Sequence, residues 1–329
     1  MAGGVDPYNP NEDYALYMLE RYPNTTYNQA HGLVKTASVR RHDNPVCNGV
    51  TIHPTTDLAS TSREVSSMQL IKAGAGGPPV VFVHGFACDA TDWQAQVDSL
   101  VTRTTVIVGD LPGHGTGLGM QADCTIGAYG AALAHALVEL ALPPAVLVGH
   151  SMGCRVILEA SRLEPSAVSG LVLVDGSRIG DGDPAAAEQA MADELVGDGY
   201  PQFVRRFFEA MFTPSSDPAL ATAITDRALQ FPSEAGRTLL TNLAGWDARE
   251  VASALDSVRV PLLAIQSTTL DTARKRVSLQ PEGDSPWIDL VLAHVPGAAV
   301  VTLPGAGHFP QIELADQVTA LIAEFCGLG

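Results

Sequence analysis

Val146-Leu147-Val148-Gly149-His150-Ser151-Met152-Gly153 is an apolar run that ends at a serine with a glycine two positions to either side. This is the spacing of a nucleophile elbow, in which a strand turns sharply into a helix and the serine at the turn takes a strained backbone conformation. Glycine-sized neighbours at 149 and 153 let strand and helix approach closely enough for the turn to form. The hydroxyl of Ser151 is then expected at the carboxyl end of a sheet, with the next amide aimed at the same point. The apolar helical positions Val156, Ile157 and Ala160 supply the context that separates this motif from an ordinary Gly/Ser turn.

Runs of the same character occur on both sides of the elbow: Val80–Val83, Thr105–Val108, Leu171–Val174, Leu262–Ile265 and Ala299–Leu303. Short continuous apolar runs of this kind suit strands buried on both faces. Helix-length amphipathic segments such as 126–141 and 315–325 lie between most of them. The alternation predicts an α/β fold, a mostly parallel, doubly wound sheet with flanking helices, whose ligands bind beyond the carboxyl ends of the strands. The interval 177–259 breaks the pattern with helical stretches near 184–196, 202–212, 218–229 and 233–243 and no convincing strand. The expected organisation is an N-terminal extension of unknown role over 1–60, a core from 61–176 and 260–329, and an inserted helical cap over 177–259. The cap's apolar and aromatic residues are core by default, although a lid's underside must also exclude water from a reaction.

With 329 residues, 46% of them hydrophobic and 17% charged, the chain can bury a large core. The excess of 36 acidic over 19 basic residues, a net charge of -17, repels phosphate backbones and anionic membrane surfaces, so neither nucleic acid nor a membrane is an expected partner. A homodimer is left open. Five scattered cysteines without C-x-x-C spacing read as small hydrophobes in a reducing compartment rather than as a disulfide framework or zinc site. With no recognisable targeting segment, the expected location is cytoplasmic.

A serine nucleophile needs a base, and a third group to hold that base in the right tautomer. Gly305-Ala306-Gly307-His308-Phe309-Pro310 offers His308 in a small-residue loop after the last predicted strand. The amide of Met152, directly after the serine, is one candidate oxyanion donor, and the amide of Phe86 in the His84-Gly85-Phe86 turn is the other. His84, Gly85, His150, Trp246 and Phe309 are the candidate substrate-binding residues. His84, His114 and His150 lie within motif loops, where hydrogen-bonding architecture is their expected role. Arg205 and Arg206 in the cap could pair with a substrate carboxylate, or simply form a solvated face.

The His84-Gly85-Phe86 turn, the Asp110-Leu111-Pro112-Gly113-His114-Gly115 loop, the Gly149–Gly153 elbow and the Gly305–His308 loop together resemble the α/β-hydrolase superfamily over about residues 64–325. The closest likeness is to its lid-bearing serine esterases, C–C hydrolases and perhydrolases. Haloalkane dehalogenases and epoxide hydrolases of that superfamily place aspartate where this chain has Ser151. Members usually carry the triad acid after the strand that follows the cap, where this chain has Thr269 and Leu270, with Asp271 arriving late. Other members place it at the end of the strand after the elbow helix, the slot of Asp175. Asp175 is preferred because a strand-end carboxylate is rigidly placed, whereas Asp271 opens a charged stretch, Arg274-Lys275-Arg276, that reads as solvated surface. Asp284 and Asp289 are more distant candidates. The resemblance implies hydrolysis of a carboxylic ester of a small or medium, largely apolar molecule, with no metal or organic cofactor. C–C bond hydrolysis, perhydrolysis or a slow-turnover receptor role are its alternatives.

Overall fold

The structure, a computed structural model, describes residues 68–328 except 118–122, 198, 271–275, 282 and 284. The expected N-terminal extension and the candidate acids Asp271 and Asp284 lie outside the described residues.

The apolar runs form the strands of one sheet. In chain order these are β1 (Gln69–Ala73), β2 (Val80–Val83), β3 (Val106–Asp110), β4 (Ala145–His150), β5 (Val168–Val174), β6 (Leu262–Gln266) and β9 (Ala299–Thr302). The spatial order is β1-β3-β2-β4-β5-β6-β9. Among the described strands of this sheet only β1 runs antiparallel, pairing Gln69 with Asp110 and Ala73 with Val106 at one edge. Strands β2, β3 and β4 are buried along their whole length, as expected where helices cover both faces.

Side chains alternate across the pleat. Val81, Val83, Leu147, Leu171 and Leu173 face a core shared with α2 (Ile126–Glu139) and α3 (Met152–Leu163). Val80, Phe82, Val146, Val148, Val172 and Val174 face the opposite core, with Val97 and Leu100 of α1 (Gln94–Leu100). Residues Val318 and Ile322 of α11 (Ala315–Phe325) complete that second layer. The start of α2 is set by Thr125, whose side chain accepts from the Ala128 amide at 3.2 Å.

Between β5 and β6 the chain forms α4 (Pro184–Gly197), α5 (Tyr200–Glu209), α6 (Pro218–Ala228), α7 (Ser233–Arg249) and α8 (Val251–Asp256). Helices α4 and α7 pack together, as do α5 and α6. After β6 comes a hairpin absent from the sequence expectation, β7 (Thr268–Leu270) against β8 (Arg276–Ser278), followed by α9 (Pro286–His294). The short helix α10 (Pro310–Glu313) follows β9.

Ion pairs fasten the inserted helices to the sheet layer. Arg227 of α6 reaches Asp92 at 2.6 Å and Asp89 at 3.1 Å. Deeper still, Arg155 of α3 forks onto Asp247 of α7, with Nε and Nη2 each 2.7 Å from a carboxylate oxygen. The pair is sealed from solvent, at 1% and 0% side-chain exposure. Arg155 also donates to the backbone carbonyls of Ser151, at 3.1 Å, and Ser177, while Asp247 accepts from the Ile179 amide at 2.7 Å. Removing one partner strands a buried charge, which costs about 3–5 kcal/mol. Asp247→Ala should therefore lower the urea midpoint by an amount equivalent to that range with an unchanged m-value, as read by equilibrium unfolding.

Candidate active site

The elbow has the geometry that its glycines anticipate. Ser151 sits at φ 53° and ψ -113° between β4 and α3, a positive φ that a non-glycine residue keeps only when its surroundings enforce it. A Cβ on Gly153 would come within 2.5 Å of the Val83 carbonyl, and one on Gly149 would strike the Gly153 backbone. The Ser151 amide bonds the Val174 carbonyl at 3.0 Å, which ties the turn to β5.

Ser151 Oγ lies 2.7 Å from His308 Nε2, and His308 Nδ1 lies 2.6 Å from Asp175 Oδ2. His308 comes from the loop between β9 and α10, and Asp175 from the residue after β5. The bond to Asp175 places the imidazole proton on Nδ1 and leaves Nε2 to accept from the serine. Asp175 has no solvent exposure and takes φ 45°. Its Oδ1 accepts from the Ser267 amide at 2.7 Å, the Ser267 hydroxyl at 2.9 Å and the Thr268 amide at 2.8 Å. Its Oδ2 accepts from the Thr268 hydroxyl as well as from His308, with Arg276 Nη1 at 3.5 Å. Thus Ser267 and Thr268, directly after β6, supply donors to a carboxylate at the end of the neighbouring strand β5.

Burial raises the Asp175 carboxyl, but the hydrogen bond and charge of His308, with Arg276 and Thr268, outweigh it and hold the group below the ordinary carboxylate range. Burial, followed by the positive charge of Arg276, lowers His308 to about 4 against the attraction of Asp175. His150 donates from Nε2 to the His308 carbonyl at 2.6 Å, and burial and His308 keep it well below its usual range, hence neutral.

Ser151 and His308 line a cavity whose walls include Gly85, Phe86, His150, Met152 and Phe309 from the motif loops. The remaining walls include Phe207, Phe208, Met211, Leu240 and Leu243 from the inserted segment. The open space is about 30 Å³, room for little more than a water molecule. A Cβ on Gly85 would lie 3.3 Å from Ser151 Cβ, so the Gly85-Phe86 turn abuts the elbow. Phe86 packs against Phe208 and Phe231, with ring centroids 6.2 Å and 5.6 Å away. The inserted segment also holds the histidine loop: Met211 carbonyl accepts from the His308 amide at 2.7 Å, and Phe212 stacks on Phe309 at 5.4 Å and 12°.

Two candidate binding residues lie elsewhere. His84 is not a wall of the cavity; its Nε2 accepts from the Leu111 amide at 3.0 Å and its Nδ1 donates to the Gly85 carbonyl at 2.8 Å, bracing neighbouring loops. Trp246 is 4% exposed and belongs to the core beneath α7 rather than to the cavity, because its position on the helix points inward. Asp289 sits in the first turn of α9 and outside the cavity.

The stretch read as solvated surface yields the largest surprise. Arg276 has only 8% side-chain exposure and lines the cavity. Arg155 does so too. A charged residue within the apolar face of an elbow helix was the available signal for Arg155; the polar Thr268–Ser278 segment gave none for Arg276. Arg205, by contrast, is 53% exposed and 3.9 Å from Glu209, on a solvated face. Among the described residues, no group of three or more His, Cys, Asp or Glu side chains is placed to hold a metal ion, and no helix is long and apolar enough to cross a membrane.

Residues 80–321 match the alpha/beta hydrolase family, and the chain belongs to it. The dihydrolipoyllysine-residue acetyltransferase component of the acetoin cleaving system of Cupriavidus necator is 28% identical over 78% of the chain. The match spans 65% of that relative's length. A pimeloyl-acyl-carrier-protein methyl ester esterase of Nitrosomonas europaea is 25% identical over 75% of the chain and 95% of its own length. Among solved structures, a thermophilic esterase from Thermogutta terrifontis superposes with a TM-score of 0.64 at 26% identity, covering 78% of this chain and 92% of that one.

A buried, neutral His308 has a measurable signature. Its folded-state value near 4 lies below the value of about 6.5 that an unfolded histidine has, so between those pH values the unfolded chain binds the extra proton. The contribution of His308 to stability therefore falls as pH drops from about 6.5 toward about 4. A histidine NMR titration should find its ring neutral over the upper part of that window, with protonation setting in only toward about pH 4.

Proposed function

We propose that the protein is a serine hydrolase that cleaves carboxylic esters through an acyl-enzyme, with Ser151 as nucleophile, His308 as general base and acid, and Asp175 as the group that orients His308. The observation that carries this reading is the continuous hydrogen-bond line from Ser151 Oγ through both nitrogens of His308 to Asp175, at 2.7 Å and 2.6 Å, opening on a cavity. Family membership supports it, as do the relatives named as esterases.

In this mechanism Ser151 Oγ attacks the ester carbonyl carbon while its proton passes to His308 Nε2. The negative charge on the carbonyl oxygen is met by the Phe86 and Met152 amides, which belong to the turn and the helix start on either side of the serine. His308 then protonates the departing alkoxide, the alcohol leaves, and water repeats the sequence to free the acid and restore Ser151. Since the cavity is only about 30 Å³, a small acyl group fits with least rearrangement, and larger ones require Phe207, Phe208 or Met211 to yield. The inserted helices thereby act as a lid that keeps bulk water from the reaction.

With 4-nitrophenyl acetate the enzyme should give steady turnover after any burst, and a fluorophosphonate should label Ser151 alone. A burst without turnover would assign the scaffold to a slow receptor-like member instead. Ser151→Ala should lower kcat on the order of 10⁶-fold, and Asp175→Asn on the order of 10⁴-fold by losing the productive histidine tautomer. If Asp175→Asn retains near-normal kcat, the assigned acid is wrong. Leu240→Ala, which enlarges the cavity wall, should raise the kcat/KM ratio of 4-nitrophenyl octanoate over acetate while destabilising the fold by about 2–5 kcal/mol.

A further inference from the structure

The walls of the cavity hold two buried arginines whose surroundings differ sharply. Arg155 makes four hydrogen bonds through all three of its nitrogens: Asp247 neutralises it through a two-point fork, and the Ser151 and Ser177 carbonyls take further N–H groups. Among the described residues, Arg276 has as side-chain partners only the Thr268 hydroxyl, 2.7 Å from Nη1, and Asp175 Oδ2, 3.5 Å from the same nitrogen. A guanidinium carries five N–H donors in a planar fork, and only one of its nitrogens is engaged here. Asp175 is its counter-ion, but meets it through a single nitrogen at 3.5 Å rather than through the fork, because both carboxylate oxygens already accept from His308, Ser267 and Thr268. Burying a cation is costly unless an anion with matching hydrogen-bond geometry completes it.

We propose that Arg276 is the carboxylate-recognition residue of the cavity, and that the preferred substrates are esters carrying a second, ionised carboxyl group, such as half-esters of short dicarboxylic acids. This rests on the ester-hydrolase reading of Ser151. Arg276 and Ser151 both line the cavity, Ser151 Oγ bonded to His308 Nε2 and Arg276 Nη1 3.5 Å from the Asp175 oxygen that His308 Nδ1 also meets, so a substrate seated between them brings its carboxylate to the guanidinium and its ester carbonyl to the serine. Carboxylates pair with arginine forks through two parallel hydrogen bonds. The same contact relieves the base. Arg276 is the foremost charge opposing a proton on His308, with Arg155 adding to it and only Asp175 favouring it, while the adjacent His150 ring is neutral. A bound carboxylate offsets the Arg276 charge and makes His308 a stronger base when substrate is present.

The test compares monoethyl succinate with ethyl 4-methylpentanoate, two esters of equal heavy-atom count that differ by a carboxylate in place of an isopropyl group. Wild-type enzyme should favour the succinate ester at least tenfold in kcat/KM, chiefly through KM. In Arg276→Gln that ratio should fall to about one, and Arg276→Lys, which keeps the charge but loses the fork, should fall between. A wild-type ratio at or below one overturns the proposal without any variant. An equal proportional loss on both esters in Arg276→Gln overturns it as well and makes Arg276 a positioning residue for Asp175. Calorimetric binding of the same esters to Ser151→Ala separates this from the hydrolase reading: tighter binding of monoethyl succinate, lost in Ser151→Ala/Arg276→Gln, supports the carboxylate site whatever the nucleophile. Equal binding of the two esters counts against it.

Discussion

One fully buried carboxylate holds the site together. Asp175 sits at the end of β5 in a left-handed backbone conformation and gathers donors from the turn after β6, from β8 and from the histidine loop. Such a conformation costs roughly 1–3 kcal/mol and persists only where the surroundings over-determine it. Here they do: the Asp175 amide bonds the Ile265 carbonyl at 2.8 Å, and each carboxylate oxygen receives several donors. The strained serine of the next strand is placed by the same sheet, since its own amide bonds the Val174 carbonyl. Two unfavourable backbone geometries on adjacent strands are thus fixed by one parallel register, in which His150 pairs with Val174.

What could be read from the residues alone divides along physical lines. The strands were legible because burial on both faces demands uninterrupted apolar runs, and the elbow because close backbone approach admits only glycine at 149 and 153. His308 was legible because its small-residue loop follows the last run. The β7–β8 hairpin was not, since strands of three residues rich in Thr, Arg and Ser carry no hydrophobic period. Its arginine looked like part of a solvated charge cluster for the same reason. The Arg155–Asp247 pair joins residues 92 apart in sequence, and local composition names no partner at such a distance. Trp246 packs in the core and not in the cavity, which residue type alone does not reveal, whereas His84 braces its loops, the hydrogen-bonding role expected of a motif-loop histidine, and is no cavity wall.

The electrostatics of the cavity run against those of the chain. A net charge of -17 makes the molecule as a whole repel anions, yet the walls around Ser151 carry two guanidinium groups about a space of only about 30 Å³. One of these charges is spent on architecture, clamping the elbow helix to α7 and to the carbonyl of the serine itself. The other stands beside the acid and opposes protonation of the histidine. Burial and the Arg155 charge disfavour the charge on Arg276, and Asp175 opposes them.

The hydrogen bond from the His308 amide to the Met211 carbonyl, together with the Phe212–Phe309 stack, means that the insertion and the sheet layer are not separable modules. A chimaera that exchanged 177–259 for the corresponding helices of a relative would also replace the residues that seat the imidazole. To stay functional it would have to bring along a compatible carbonyl and aromatic partner at that joint. Diversification of this scaffold by swapping lids is accordingly constrained at residues 211 and 212, far more than at the outward faces of the same helices.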